Sequence, residues 1–389
     1  MAEIESGMST FFPPEQPAAT AQEAASCRGI LHTFVAFDWG DEIDLERARQ
    51  LVPAQTHALP RRKRTPSSFS YRPSPLNFGL EPVPLELAEL GKVSASGRVT
   101  AFDFGAVSVS MRVPFELPAD GLTCLAGSLA DPGDLIQKAR AAVEPIYREL
   151  LPAIQSPNWQ EYLSEEYFVF QLTPGEPLPP LEQLVDVSRG RPADWLASLV
   201  HLESNPLSGQ EISEALRLHL RYSPEDLFVP GWAAAVLIDQ DCDETLEAVE
   251  FANLQLLEFR HIDNRLDDSL ADAYRSLHPP EHSWLPFWRM YARPLRHLGE
   301  LKVEANGLFE RTGNVLKLVG DQYLARVYRL LASRFHLRDW ERSIQRKLEV
   351  VEGIYQVVAD QSAAFRMEFL EIIVVVLILI EIVLAVVRH

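Results

Sequence analysis

The closing stretch "FLEIIVVVLILIEIVLAVVRH", Phe369 to His389, constrains the chain more than any other. As a helix, Phe369–Val387 is about 28 Å long at 1.5 Å per residue, close to the roughly 30 Å of bilayer hydrocarbon. Its branched and leucine side chains leave no polar face except at Glu371 and Glu381. It therefore reads as a transmembrane helix, with a buried core helix as the other solution. An acid at the centre of a span costs roughly 2.5 to 3.5 kcal/mol and less near an interface, which the apolar neighbours offset. Two readings of Glu381 stand: a carboxylate meeting another helix, such as its own copy in an oligomer, or an acid that snorkels to the nearer interface. Glu371 and Glu381 are accordingly assigned to the span and to self-association.

Only Arg388 and His389 follow, and the N-terminal "MAEIESGMSTFFPPEQPAATAQEAAS" has no basic region ahead of an apolar core. Its acids and lack of arginine also disfavour a mitochondrial transit peptide. The expectation is a tail-anchored, single-pass protein of a bacterial inner membrane with its N-terminal body in the cytoplasm. A net charge of −19, from 55 acidic and 36 basic residues, argues against broad nucleic-acid binding through the whole surface. Cys27, Cys124 and Cys242 lie far apart and outside any Cys-x-x-Cys spacing, so neither a disulfide framework nor a zinc site is suggested.

Residues 1–26 read as a disordered N-terminus and 27–238 as an α+β domain. Within the latter, "ILHTFVAFDW" and "EEYFVFQL" read as strands, and "GRVTAFDFGAVSVSMRVPF" as a hairpin turning near Gly105. Leu135–Ile154, Asp194–His201 and Gly209–Leu220 read as helices, and "DLFVPGWAAAVLI" as one buried strand bent near Gly231. Residues 47–80 hold seven basic residues, no acid and several prolines, a loop centred on Arg61, Arg62, Lys63 and Arg64. These four could touch an anionic surface, lipid headgroup or RNA, at about 1 kcal/mol per cation. The preferred reading is a solvated loop on an acidic body, because no aromatics interleave with the basic core.

From 239 to 368 the pattern is helical throughout. Ala252 to Leu277 forms one amphipathic stripe that Pro279 and Pro280 stop, and a second runs from Leu301 to Leu330. The third stripe, Leu337, Trp340, Ile344, Leu348, Val351, Tyr355, Val358, Phe365, Phe369 and Ile372, holds close to a 3.5-residue period. These predict a coiled-coil-like antiparallel bundle whose last helix runs on into the membrane.

Three clusters could carry chemistry. Asp239, Asp241, Asp243 and Glu250 fit positions 1, 3, 5 and 12 of a calcium loop, but Glu244 stands where the turn needs glycine. The preferred reading is a helix start with Asp241 as N-cap and Glu244 three residues on. His261, Asp263, Asp267, Asp268 and Asp272 would need partners from other helices to hold a metal, and Glu-x-x-His is absent. Pairing with Arg260, Arg265 or Arg275 is the structural reading. His278, Glu281 and His282 sit in a proline-bearing turn unsuited to a metal. No catalytic residue, cofactor or metal ligand is assigned.

The segments "ANLQLLEFRHIDNRLDDSLADAYR" and "DQYLARVYRLLASRFHLRDWERSIQRKLEVVEGIYQVVADQSAAFRMEFLEIIVVVLILIEIVL" resemble the family of unknown-function membrane proteins that includes the "required for meiotic nuclear division" proteins. The resemblance spans about 226–387 and rests on an R-x-x-x-x-K-L stretch and the final apolar segment, where Glu371 and Glu381 match two acids of the family. It implies an inner-membrane scaffold in support of translation, with RNA or the ribosome as partners, here in a bacterial relative. The resulting expectation is a non-enzymatic, homo-oligomeric, tail-anchored scaffold with an α+β head and a helical stalk. A metal-dependent enzyme with a carboxylate site in the bundle is the alternative.

Overall fold

The computed structural model describes residues 26–52, 74–159, 163–175, 177–277, 298–310 and 322–387. The chain divides into two compact units, Met1–Glu258 with Thr312–Arg338, and Phe259–Arg311 with Asp339–His389.

In the first unit the elements run β1 (Ser26–Asp38), β2 (Glu42–Ile43), α1 (Leu45–Leu51), β3 (Leu76–Leu87), β4 (Gly91–Ala101), β5 (Ala106–Pro118), α2 (Ala119–Ser128) and α3 (Gly133–Leu150). There follow β6 (Ile154–Gln155), β7 (Ser164–Leu172), α4 (Leu181–Val185), α5 (Arg191–His201), α6 (Gly209–Arg217), β8 (Leu227–Pro230) and β9 (Ala234–Ile238). Seven strands form one sheet in the order β3-β4-β5-β1-β7-β9-β8, and β2 pairs with β6 apart from it. Only β7 and β9 run parallel within the large sheet, because the helices α4 to α6 carry the chain back across it between them.

Burial explains the strand sequences. Central β1 is buried without a break from Leu31 to Asp38, because both faces of the sheet are covered. Edge strand β3 alternates instead, with Val83, Leu85 and Leu87 inward and Pro84 and Glu86 exposed. Its two prolines are tolerated at an edge, and the register shifts between Leu80 and Val83. The β4–β5 hairpin turns at Gly105, whose φ of +92° puts a would-be Cβ 1.7 Å from the Gly40 carbonyl oxygen. "DLFVPGWAAAVLI", expected as one strand, is two: the chain doubles back at Gly231, whose N–H donates to the Ala234 carbonyl at 2.7 Å.

One face of the sheet, with Leu31, Val35, Val107, Val109, Phe168 and Phe170, packs against apolar residues of α2, α3 and α5 to form the main core. The other face meets α7 (Asp243–Leu277), whose Leu254 and Leu257 pack on Ala36, Phe102, Ala106 and Leu163. Helix α9 (Gln322–Arg334), which the sequence places in the stalk, belongs to this unit. Its Tyr328 hydroxyl donates to the Gln255 side chain, and Arg334 donates to the carbonyls of Glu214 and Ala215.

The second unit contains α7 from Phe259 onward, α8 (298–310) and α10 (Leu337–Val387) from Asp339. Ile344, Leu348, Val351 and Tyr355 of α10 are buried. Charges flank that stripe: Lys347 Nζ lies 2.8 Å from Asp263 and 2.6 Å from Asp267, and Lys302 lies 2.8 Å from Glu352.

The expected end of the fold is corrected. Among the described residues no helix is long and apolar enough to cross a membrane, so the transmembrane helix over 369–387 does not stand. Tail anchoring and a single-pass location in an inner membrane fall with it. The architecture is a large mixed-sheet unit followed by a helical unit.

Candidate functional site

The alternation of β-strand side chains places His32 (β1), Arg98 and Thr100 (β4), Ser108, Ser110 and Arg112 (β5) and Gln171 (β7) on the sheet face opposite the main core. The first turns of α7 bring Asp243, Glu247 and Glu250 to this face. Arg98 donates to the Glu250 carboxylate at 2.9 Å, and Arg112 lies 3.9 Å from Asp243. The cluster grades from an exposed rim, Arg112 and Asp243, to a buried end at Glu250, whose side chain is 6% exposed.

Glu247 lies between the two pairs. Burial, then the neighbouring Glu250, push its carboxyl up to about 7 against the pull of Arg98. His32 is held down to about 4, first by burial, so its ring is neutral at pH 7. Its Nε2 donates to Gln171 Oε1 at 2.8 Å, and Gln171 Nε2 donates to the Asp239 carbonyl at 3.1 Å. This chain leaves His32 Nδ1 as an acceptor with no partner among the described residues. Burial pushes the Cys27 and Cys242 thiols up to about 12, so neither is a thiolate at pH 7.

The four acids weighed for a calcium loop are taken up separately. Asp239 is held through its carbonyl by Gln171 and accepts from the Asp241 N–H, Asp243 faces Arg112, and Glu250 is taken by Arg98. Helix α7 is capped one residue later than read, with the Leu246 N–H donating to the Cys242 carbonyl, so Asp241 is not its N-cap. In the second unit the carboxylates of Asp263 and Asp267 converge on Lys347, while Arg265 pairs with Glu304 at 2.7 Å. Among the described residues no group of three or more His, Cys, Asp or Glu is arranged to hold a metal ion. Arg61, Arg62, Lys63 and Arg64, and also His278, Glu281 and His282, lie outside the described residues.

Glu371 and Glu381 sit on the outer part of α10, surrounded by apolar side chains that are themselves exposed. Val375, Leu377 and Leu379 are each about 60% exposed. From the fractional exposures over 370–383, the uncovered apolar surface is on the order of 1,000 Å². Typical monomers expose a largest patch of roughly 300 to 600 Å². Sequence reasoning missed Arg98, His32, Gln171 and Lys347, which only the strand register and helix packing bring to their partners.

A family described as "Uncharacterized protein MJ0711, N-terminal domain" matches residues 28–244, the part of the chain for which the sequence had suggested no family. The uncharacterized protein MJ0711 of Methanocaldococcus jannaschii is 26% identical over 193 residues, covering 49% of this chain. The aligned region spans 58% of that relative's length. No solved structure matches. None of these matches bears on the resemblance drawn over about 226–387, which rests on its motifs alone.

Proposed function

The chain belongs to the MJ0711 N-terminal domain family, and from that premise we propose that it is an interaction protein, a scaffold whose working surface is the outer part of α10. The family's description assigns no activity, so the reading rests on chemistry. What carries it is the exposed apolar stretch of α10, a surface larger than a monomer ordinarily leaves in water. In the first unit Glu250 is held by Arg98, His32 is neutral and both buried thiols are protonated, while the Glu247 carboxyl is raised to about 7.

The metal-dependent enzyme is not favoured by any observation, since the Lys347 ammonium takes the place a cation would occupy between Asp263 and Asp267. Affinity purification of the full chain beside the variant Val376→Asp with Leu379→Asp tests the proposal, with proteins and RNA quantified in both eluates. The expected result is a defined set of proteins, this chain's own untagged copy included, held by the parent and lost from the variant. Identical eluates from parent and variant would remove α10 as the working surface.

A further inference from the structure

Heptad positions can be assigned along α10 from its buried stripe. Ile344 and Val351 take position d, and Leu348 and Tyr355 take position a, all four buried in the second unit. Carried forward without a break, the same register puts Val376 and Val383 at a and Leu379 at d. These three are on the same seam, yet they are exposed, at 47%, 53% and 62%.

Over the buried part, positions beside the seam carry charge: Lys347 at g reaches Asp263 and Asp267, and Glu352 at e reaches Lys302. Over the exposed part they turn apolar, with Ile373 and Ile380 at e and Val375 and Ile382 at g. The seam widens where it is uncovered. Glu371 falls at c and Glu381 at f, the positions a coiled coil points away from its partner. The two acids in this apolar stretch thus occupy sites that stay wet when the seam is covered.

We infer that the occupant of the exposed seam is the same segment of further copies of this chain, packed through Val376, Leu379 and Val383 with Glu371 and Glu381 outward. This rests on the scaffold reading and names its partner. The valine-at-a, leucine-at-d pattern is the one that pairs helices in a coiled coil, and the apolar e and g positions extend the contact to either side. The a, d, e and g side chains over 373–383 expose on the order of 600 Å² per copy, the low end of a specific interface at roughly 600 Å² per partner. The stretch 370–383 carries no basic residue, so Glu371 and Glu381 have no charge to meet across a seam and are placed outward at no loss of pairing.

Cysteine cross-linking of the full chain tests the register. In a Cys124→Ser background, which removes the exposed thiol while Cys27 and Cys242 stay buried, single cysteines are placed at Val376→Cys, Leu379→Cys and Glu381→Cys. Under copper-phenanthroline oxidation the first two should form interchain disulfides at least tenfold faster than the third. Equal rates at all three positions, or no interchain product, would overturn the inference. A chain that floats with phosphatidylcholine–phosphatidylglycerol vesicles and loses its cross-links on adding them would overturn it in favour of a lipid occupant. If no cross-link forms while the Val376→Asp, Leu379→Asp variant still loses other bound proteins, the scaffold reading stands and the self-association falls.

Discussion

Glu247 binds a proton in the folded chain at pH values where the unfolded chain, with an ordinary value of 4.5, has lost it. Stability from this residue is present below pH 4.5 and falls as pH rises toward about 7. His32 works in the opposite sense. Its folded value of about 4 lies below 6.5, so the unfolded chain takes up the proton first and stability falls as pH drops from 6.5 toward 4. Glu247→Gln should remove the first slope, so its stability relative to the parent rises with pH by ~1–3 kcal/mol. Thermal melts between pH 4 and 8 check this; a difference that stays constant across the range would contradict it. Arg98→Met leaves the buried Glu250 carboxylate unpaired and should cost roughly 2–4 kcal/mol in urea unfolding, while adding Glu250→Leu should restore at least half. A double variant no more stable than the single one would show that the pair is not coupled. None of this was legible in the sequence, because Arg98 and Glu250 are 152 residues apart and meet only through strand register and the placement of α7.

At the scale of elements the sequence carried most of what local pattern can carry. "EEYFVFQL" is β7 and the hairpin predicted near Gly105 is β4–β5, since alternation and glycine report backbone geometry directly. Gly105→Ala, with its positive φ and the Gly40 carbonyl in the way, should cost about 2 kcal/mol or more by chemical denaturation. A loss under half of that would mean the turn relaxes freely. The β8–β9 pair read as one strand because an apolar run does not show where it folds back; only the close approach of Gly231 to Val200 marks the turn. The third helical stripe fixed which face of α10 is buried, but not which charges flank it. Lys347 was overlooked because its partners Asp263 and Asp267 lie on another helix. Lys347→Met brings two unneutralised acids together and should cost about 1–2 kcal/mol, a loss that 1 M salt should reduce. A salt-independent loss would assign the effect to packing.

For the whole molecule, a run of branched apolar residues says that a surface must be covered and not by what. Hydropathy alone suggested lipid for the outer part of α10. The heptad register, counted along the helix from Ile344 to Val383, places Glu371 and Glu381 at outward positions. The division of the chain was equally hidden: α9 reads as one more stalk helix, yet it belongs with the sheet unit because Tyr328 and Arg334 find their partners there. The central claim is that the exposed seam of α10 joins copies of the chain. Sedimentation equilibrium of the full chain without detergent tests it most directly, beside Val376→Asp with Leu379→Asp and beside Glu381→Leu. The prediction is a mass that is a whole multiple, two or more, of 43.8 kDa for the parent and Glu381→Leu, and a single-chain mass for the seam variant. A parent that sediments as one chain, or a seam variant that keeps the parent's mass, would contradict it.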